Sequence, residues 1–205
     1  MSVRLPSDQE IRTLHEKHSP TSAAFQLVYT HCEIVARVAG QLLDRAPPGP
    51  GLDGDLLHAG ALLHDIGVYR LYGADGWLDH TSYLRHGVLG YELLRAEGLP
   101  EELCRFCSRH TGVGLSREDV RRQRLPLPPG DYEAETGEEQ LVMYADKFHS
   151  KTDPPVFLTA DTYASAVGRF GPGKEAAFAA LRARFGEPDL TTLAAEYGYG
   201  VASPG

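Results

Sequence analysis

The sequence predicts an all-α fold, and three observations predict it. Apolar residues recur at helical spacing, as in Phe25, Val28, Val35, Val38 and Leu42. Two capping boxes, Ser7 with Glu10 and Thr136 with Glu139, mark helix starts, since each cap side chain and the carboxylate three residues on can satisfy each other's backbone N–H. No segment alternates apolar and polar residues convincingly over strand length. At 205 residues the chain has room for one domain with a proper core. It is read as a single domain over 1–205, with a core over about 20–150 and C-terminal helices over about 159–197 packed on it.

Taken in order, Ser7 to Lys17 reads as a short first helix. Ser19-Pro20 then caps a long one from Thr21 to about Arg45, whose His31 shares a face with Val35, Val38 and Leu42 and so points into the core. Ala46 to Gly51, rich in proline and glycine, is a connector. Asp53 starts an apolar helix that runs into His64-Asp65. Neighbouring helical side chains diverge by about 100°. Gly67 is therefore expected to take the left-handed conformation that ends the helix, letting the pair converge.

Val68 to His80 reads as a surface loop, and Thr81 to Glu97 as a helix closed by Gly98 with His86 near its start. Pro100 is placed at the first position of a helix over Glu101 to Thr111, which carries Cys104, Cys107 and His110. Arg117 to Gly137 is a long polar, proline-rich loop, a lid by its length, with one short helix after Ser116. Thr136 opens a helix through Leu141, Tyr144, Ala145 and Phe148 that carries Asp146. Helices over Thr159 to Arg169, Pro172 to Phe185 and Asp189 to Tyr197 complete the set, and Gly198 to Gly205 is expected to fray.

Composition excludes several classes. A formal charge of −8 disfavours nonspecific binding to nucleic acid or to an anionic membrane. No apolar run approaches the roughly 20 residues needed to span a bilayer, and Met-Ser-Val-Arg-Leu-Pro-Ser-Asp lacks the apolar centre of a signal peptide. Three cysteines, an odd number, argue against a disulfide framework and fit a reducing cytoplasm. The expected partner is a small anionic substrate met by a local cluster of positive charge, with no nucleic acid or membrane; a homodimer is compatible with the sequence.

Six side chains of metal-binding type lie on five helices among core residues: His31, His64, Asp65, His86, His110 and Asp146. The set suits two first-row transition ions about 3.5–4 Å apart, with one bridging carboxylate, for which Asp65 is placed. Imidazole-rich donors favour Fe, Mn, Co, Ni or Zn over Mg and Ca. Water held there would ionise near neutrality, which makes the site hydrolytic.

The segments His31-Cys-Glu-Ile-Val35, Leu62-Leu63-His64-Asp65-Ile66-Gly67, His86-Gly-Val-Leu-Gly90, Arg109-His110-Thr-Gly112 and Tyr144-Ala145-Asp146-Lys147 occur in this order. Together they resemble the HD-domain metal-dependent phosphohydrolase superfamily in its HDIG branch, over roughly residues 20–150. The resemblance implies an all-α bundle with one or two divalent ions at its centre and hydrolysis of a phosphoester or phosphoanhydride. It implies that His31, His64, Asp65 and Asp146 hold a first ion and Asp65, His86 and His110 a second, with these last three at the catalytic centre. In length and ligand order the chain also resembles the symmetrical diadenosine tetraphosphate hydrolases, which points to a nucleotide-like substrate. Many nucleotide-cleaving members carry a lysine just after His-Asp-x-Gly, where this chain has Val68; Arg70, Arg85, Lys147 and Lys151 are the substitutes for that phosphate contact. The cyclic-dinucleotide branch would need Gly-Tyr-Pro near the fourth histidine, where this chain has Gly112-Val-Gly-Leu115.

Two other functions share these ligands: an HD-fold mixed-valence di-iron oxygenase, and a metal-dependent sensor. His80 is a further pocket or general-acid residue, against the plainer reading of a surface histidine. The arginines at 117, 121, 122 and 124 either grip phosphate or form a solvated face, and Trp77, Tyr69 and Tyr72 either stack on a base or pack on the core. Cys104-x-x-Cys107-x-x-His110 suggests zinc but lacks a second ligand pair, so buried apolar cysteines are preferred. His15, His18, His58 and His149 are read as ordinary.

Overall fold

The computed structural model describes residues 4–45 and 51–202. It is a helical bundle of α1 (Asp8–His18), α2 (Ser22–Arg45), α3 (Gly54–Leu63), α4 (His86–Ala96), α5 (Glu101–Ser108), α6 (Arg117–Gln123), α7 (Gly137–Ala145), α8 (Ala160–Val167), α9 (Lys174–Phe185) and α10 (Leu190–Tyr197). Three short strands accompany them: β1 (His149–Ser150), β2 (Val156–Leu158) and β3 (Gly200–Ala202). The connector expected over Ala46 to Gly51 lies, apart from Gly51, outside the described residues.

α2 is the central helix because its apolar stripe is unusually wide. Val28, Cys32, Ile34, Val35, Val38 and Leu42 are all fully buried against α3 and α7. Each such aliphatic side chain removed from water contributes roughly 1.5–3 kcal/mol before the entropy of ordering it. The capping boxes at Ser7 and Thr136 form as expected, and Ser116 with Asp119 makes a third. The cap of α2 is Thr21 rather than Ser19-Pro20: its Oγ1 accepts from the N–H of Ala24 at 3.1 Å, satisfying a donor the helix leaves unpaired.

Several expected boundaries move. Pro100 is the residue before α5 rather than its first, and α5 ends at Ser108, so His110 follows the helix. The stretch after His64-Asp65 is a 3-10 helix over Ile66–Leu71 with five buried residues, and only the chain beyond it runs over the surface. The helix expected from Thr81 begins as a 3-10 turn over Tyr83–Arg85, and His86 is the first residue of α4. The C-terminus does not simply fray. β3 pairs in parallel with β2, which pairs antiparallel with β1, so a sheet closes beside α2 where none was expected. Strands this short carry too few residues to show alternation.

His15, read as ordinary, is buried and fully hydrogen-bonded: Nε2 lies 2.9 Å from the Leu62 carbonyl and Nδ1 2.9 Å from the Tyr69 hydroxyl. It ties α1 to the end of α3. Burial lowers its pKa from an ordinary 6.5 to about 4. The unfolded chain therefore takes up a proton near pH 6.5 that the folded chain refuses until about pH 4. Stability present above pH 6.5 should be lost as pH falls through that window, by up to roughly 3 kcal/mol. Urea midpoints at pH 7 and pH 4.5 check this, and His15→Gln should show a smaller difference between the two pH values than the parent.

Candidate metal centre

The centre forms where the end of α3, the start of α4, the turn after α5 and the end of α7 meet α2. α3 ends at Leu63; His64 is still helical, and Asp65 (φ −107°, ψ 7°) turns the chain into the 3-10 helix. That turn lets adjacent side chains face one target. Gly67 plays a different part from the one expected: it is absent from the left-handed glycines and instead permits contact. A Cβ there would lie 2.0 Å from the His86 carbonyl oxygen and 2.3 Å from the Gly90 nitrogen. Gly67 thus lets α4 approach, and His86 with it.

All six residues of the expected set converge. Asp65 divides its oxygens between two groups. Oδ2 lies 3.4 Å from His31 Nε2 and 3.9 Å from His64 Nε2, and Oδ1 lies 3.5 Å from His86 Nε2 and 3.4 Å from His110 Nε2. Asp146 Oδ1 adds to the first group, 3.0 Å from His31 Nε2 and 3.5 Å from His64 Nε2. Two triplets, His31–His64–Asp65 and Asp65–His86–His110, have donor atoms close enough to share an ion, and all five residues are buried.

Tautomers decide whether a cation fits. Nδ1 of His64, His86 and His110 faces the backbone carbonyls of Ala61, Tyr83 and Phe106 at 2.7, 2.6 and 2.9 Å, so Nδ1 carries the proton and Nε2 turns inward. The inward nitrogens nearly touch, with His86 and His110 Nε2 2.9 Å apart and His31 and His64 Nε2 3.3 Å apart. Lone pairs facing each other beside two carboxylates suit a cation. Burial lowers His31 and His86 to about 4 and keeps both neutral, as ligands must be. His64 is raised despite its burial by Cys32 and Asp65 beside it, so an ion binding there would displace its Nε2 proton. Burial also opposes the charge of both aspartates, yet Lys151 with His64, and Lys147 with His31, hold Asp65 and Asp146 well below the usual carboxylate range.

The centre opens on a cavity of about 310 Å³ whose wall includes Asp65, His86, His110, Asp146, Lys147 and Lys151. Lys151 Nζ donates to Asp65 Oδ2, and Lys147 Nζ to Asp146 Oδ2 at 2.6 Å and to the His110 carbonyl at 3.0 Å. Of the five expected substrate residues the structure brings these two lysines to the cavity. Arg70, His80 and Arg85 are exposed and are not on its wall, because the 3-10 helix and the turn before α4 direct them to solvent.

The arginines of the expected lid also face outward: Arg117, Arg121 and Arg122 pair with Asp131, Glu118 and Asp119. That segment meets the cavity through Gln123 and Leu125 instead, with Leu115 just before it. Trp77 is exposed and Tyr69 buried, and with Tyr72 neither touches the cavity. Cys104 and Cys107 are buried free thiols whose Sγ atoms face the carbonyls of Leu99 and Leu63, as small apolar residues.

Sequence reasoning missed Tyr83, Tyr163 and Lys174 on the cavity wall, and His149 behind His31. His149 Nδ1 lies 2.8 Å from His31 Nδ1, and its buried Nε2 has no partner. His149 follows Asp146 by three residues, so a helical projection from the aspartate was the one signal that could have found it.

The HD domain family model matches residues 28–151. The chain belongs to the HD domain family. Among curated relatives, this HD-domain chain is 36% identical over 127 residues to a tRNA (cytidine(56)-2'-O)-methyltransferase of Picrophilus torridus, covering 62% of this chain and 33% of that protein. It is 38% identical over 120 residues to an uncharacterised protein of Methanocaldococcus jannaschii, covering 58% of this chain and 64% of that one. The chain thus matches only about a third of the named methyltransferase's length, and that name describes the whole of the longer protein. Among solved structures, the HD domain of the phosphodiesterase PgpH of L. monocytogenes superposes with a TM-score of 0.54 at 16% identity, covering 93% of this chain and 100% of that one. A second structure of that domain, in complex with cyclic-di-AMP, superposes with a TM-score of 0.53 at 15% identity, covering 94% and 99%. At such identity the likeness concerns the fold. No helix among the described residues is long and apolar enough to cross a membrane.

Proposed function

We propose that the chain is a metal-dependent phosphohydrolase acting on a phosphoester of a small molecule. The observation that carries this reading is one cavity wall bearing both Asp65-centred donor triplets and the ammonium groups of Lys147 and Lys151. With divalent metal bound, such a wall would carry net positive charge and favour an anion over a neutral substrate. The relationship to a phosphodiesterase HD domain supports the same class.

In this reading His31, His64, Asp65 and Asp146 hold one ion and Asp65, His86 and His110 another. Bound divalent metal supplies charge neutralisation at the phosphoryl oxygens and a water ionised near neutral pH. Lys151 and Lys147 orient the anion. Tyr83, whose phenol burial raises far from ionisation, stays protonated beside Lys151. The nucleotide-like body was expected from the resemblance to the diadenosine tetraphosphate hydrolases, and Trp77, Tyr69 and Tyr72, the residues that would stack on a base, do not reach the cavity.

The test is metal removal and return. Chelated protein should release no phosphate from a phosphomonoester panel. Adding Mn(II), Fe(II), Co(II), Ni(II) or Zn(II) singly should restore release with at least one of them. Oxygen uptake without phosphate release, accompanied by a mixed-valence di-iron signal, would overturn the reading in favour of an oxygenase.

His149 is expected to matter here as a positioning residue. Accepting from His31 Nδ1 fixes the tautomer that leaves Nε2 free for metal. His149→Phe keeps the aromatic packing on Phe157 and Tyr199 but removes the acceptor. Metal affinity, read by chelator competition, should fall by about 10–100-fold with little loss of helicity; unchanged affinity would remove the role.

A further inference from the structure

The metal-directed residues and the two lysines make up only part of the cavity wall. Its wall also carries Leu84, Val113, Leu115, Leu125, Tyr163 and Phe170, of which Tyr163 stands near Lys147 and Asp146. Two polar side chains on that wall, Lys174 and Gln123, are engaged within the protein. Lys174 Nζ donates to Asp119 Oδ2 at 2.6 Å and to the Gly114 carbonyl at 2.7 Å, and Gln123 Nε2 donates to the Phe170 carbonyl at 3.0 Å. Asp119 is held near pKa 2: its burial works against this, and Lys174 and Ser116 outweigh it, so the ion pair is internally neutral. A base edge or a second phosphate placed against Leu115 and Leu125 would exchange water for aliphatic wall, an unfavourable transfer. A volume of about 310 Å³ lies at the small end of ligand sites.

We propose that the substrate is a small monoester in which one phosphate carries an apolar alkyl or aryl body, the phosphate lying at Lys147 and Lys151 and the body between Leu115, Leu125 and Phe170. This rests on the phosphohydrolase reading. Hydrolysis consumes one water, breaks the phosphorus–oxygen bond to the alcohol, and releases the alcohol and inorganic phosphate. Leu115, Leu125 and Phe170 are specificity residues, reached from three different segments: the turn before α6, the chain just after it, and the 3-10 turn after α8. The wall is therefore built only in the folded chain.

The experiment uses the metal-restored full chain and a series of methyl, butyl and hexyl phosphate, with glycerol 3-phosphate, AMP and cyclic-di-AMP as polar competitors. Along the alkyl series the leaving alcohols are similar, so kcat/KM reads the body. It should rise by about fourfold per added methylene until the wall is filled, and hexyl phosphate should exceed AMP. Leu125→Asn, at a half-buried position, should flatten the series. A flat series in the parent, or a preference for AMP or cyclic-di-AMP, overturns the proposal while leaving the phosphohydrolase intact.

Thermal stabilisation of the same protein by methyl- and hexylphosphonate separates the two readings. If no ester is hydrolysed but hexylphosphonate stabilises markedly more than methylphosphonate, the apolar site stands and the hydrolase falls. Equal stabilisation overturns the apolar site whatever the turnover.

Discussion

Asp65→Asn is expected to lower metal-dependent phosphate release by about a thousandfold or more and to remove most bound metal. The carboxylate faces His31 and His64 with one oxygen and His86 and His110 with the other. An amide offers one oxygen, and its N–H₂ must then point two donors at a position meant for a cation. Lys151 also loses the charge that neutralises it, and a buried ammonium left unpaired is costly. Metal analysis, phosphate release and far-ultraviolet circular dichroism on one preparation check the result, with helicity expected to stay near that of the parent. Turnover retained by a metal-depleted Asp65→Asn protein would sink the mechanism.

Gly67→Ala should be among the most destabilising single-methyl additions in the chain, costing roughly 3 kcal/mol or more. The added carbon would meet the His86 carbonyl and the Gly90 nitrogen, which are backbone atoms of α4 and cannot swing aside as a side chain would. Relief requires moving α4 away from the 3-10 helix, which draws His86 off Asp65. Denaturant midpoints should fall, and occupancy of the Asp65–His86–His110 triplet should weaken before that of the first group. Gly40→Ala is the matched control. It lies inside α2 with open space around the new methyl, and should stabilise by about 0.5–1 kcal/mol. Equal midpoints for the two variants would refute the close-approach role of Gly67.

The helices were legible where local chemistry suffices. Caps at Ser7, Asp53, Thr136 and Asp189 bond to N–H groups two or three residues away, so their effect needs no distant partner. The pairing of β3 with β2 joins residues more than forty positions apart through backbone atoms, which leave no side-chain pattern to read. Lys147 and Lys151 reach the cavity although the chain passes from a 3-10 turn into β1 between them. Arg70 and Arg85 looked equally suited by charge, yet within the 3-10 turns that carry them these two side chains face solvent.

The sequence by itself determined that the chain is helical and that six metal-binding side chains sit among core residues in a family's order, because donor chemistry and helical spacing are properties of residues taken along the chain. Only the tertiary structure decided which cations face the cavity, what else lines it, and that His149 stands behind His31. Those depend on how segments far apart in the chain pack and on which way each backbone turn aims its side chain, and packing direction is fixed by contacts such as Gly67 against α4 rather than by the residues that are aimed.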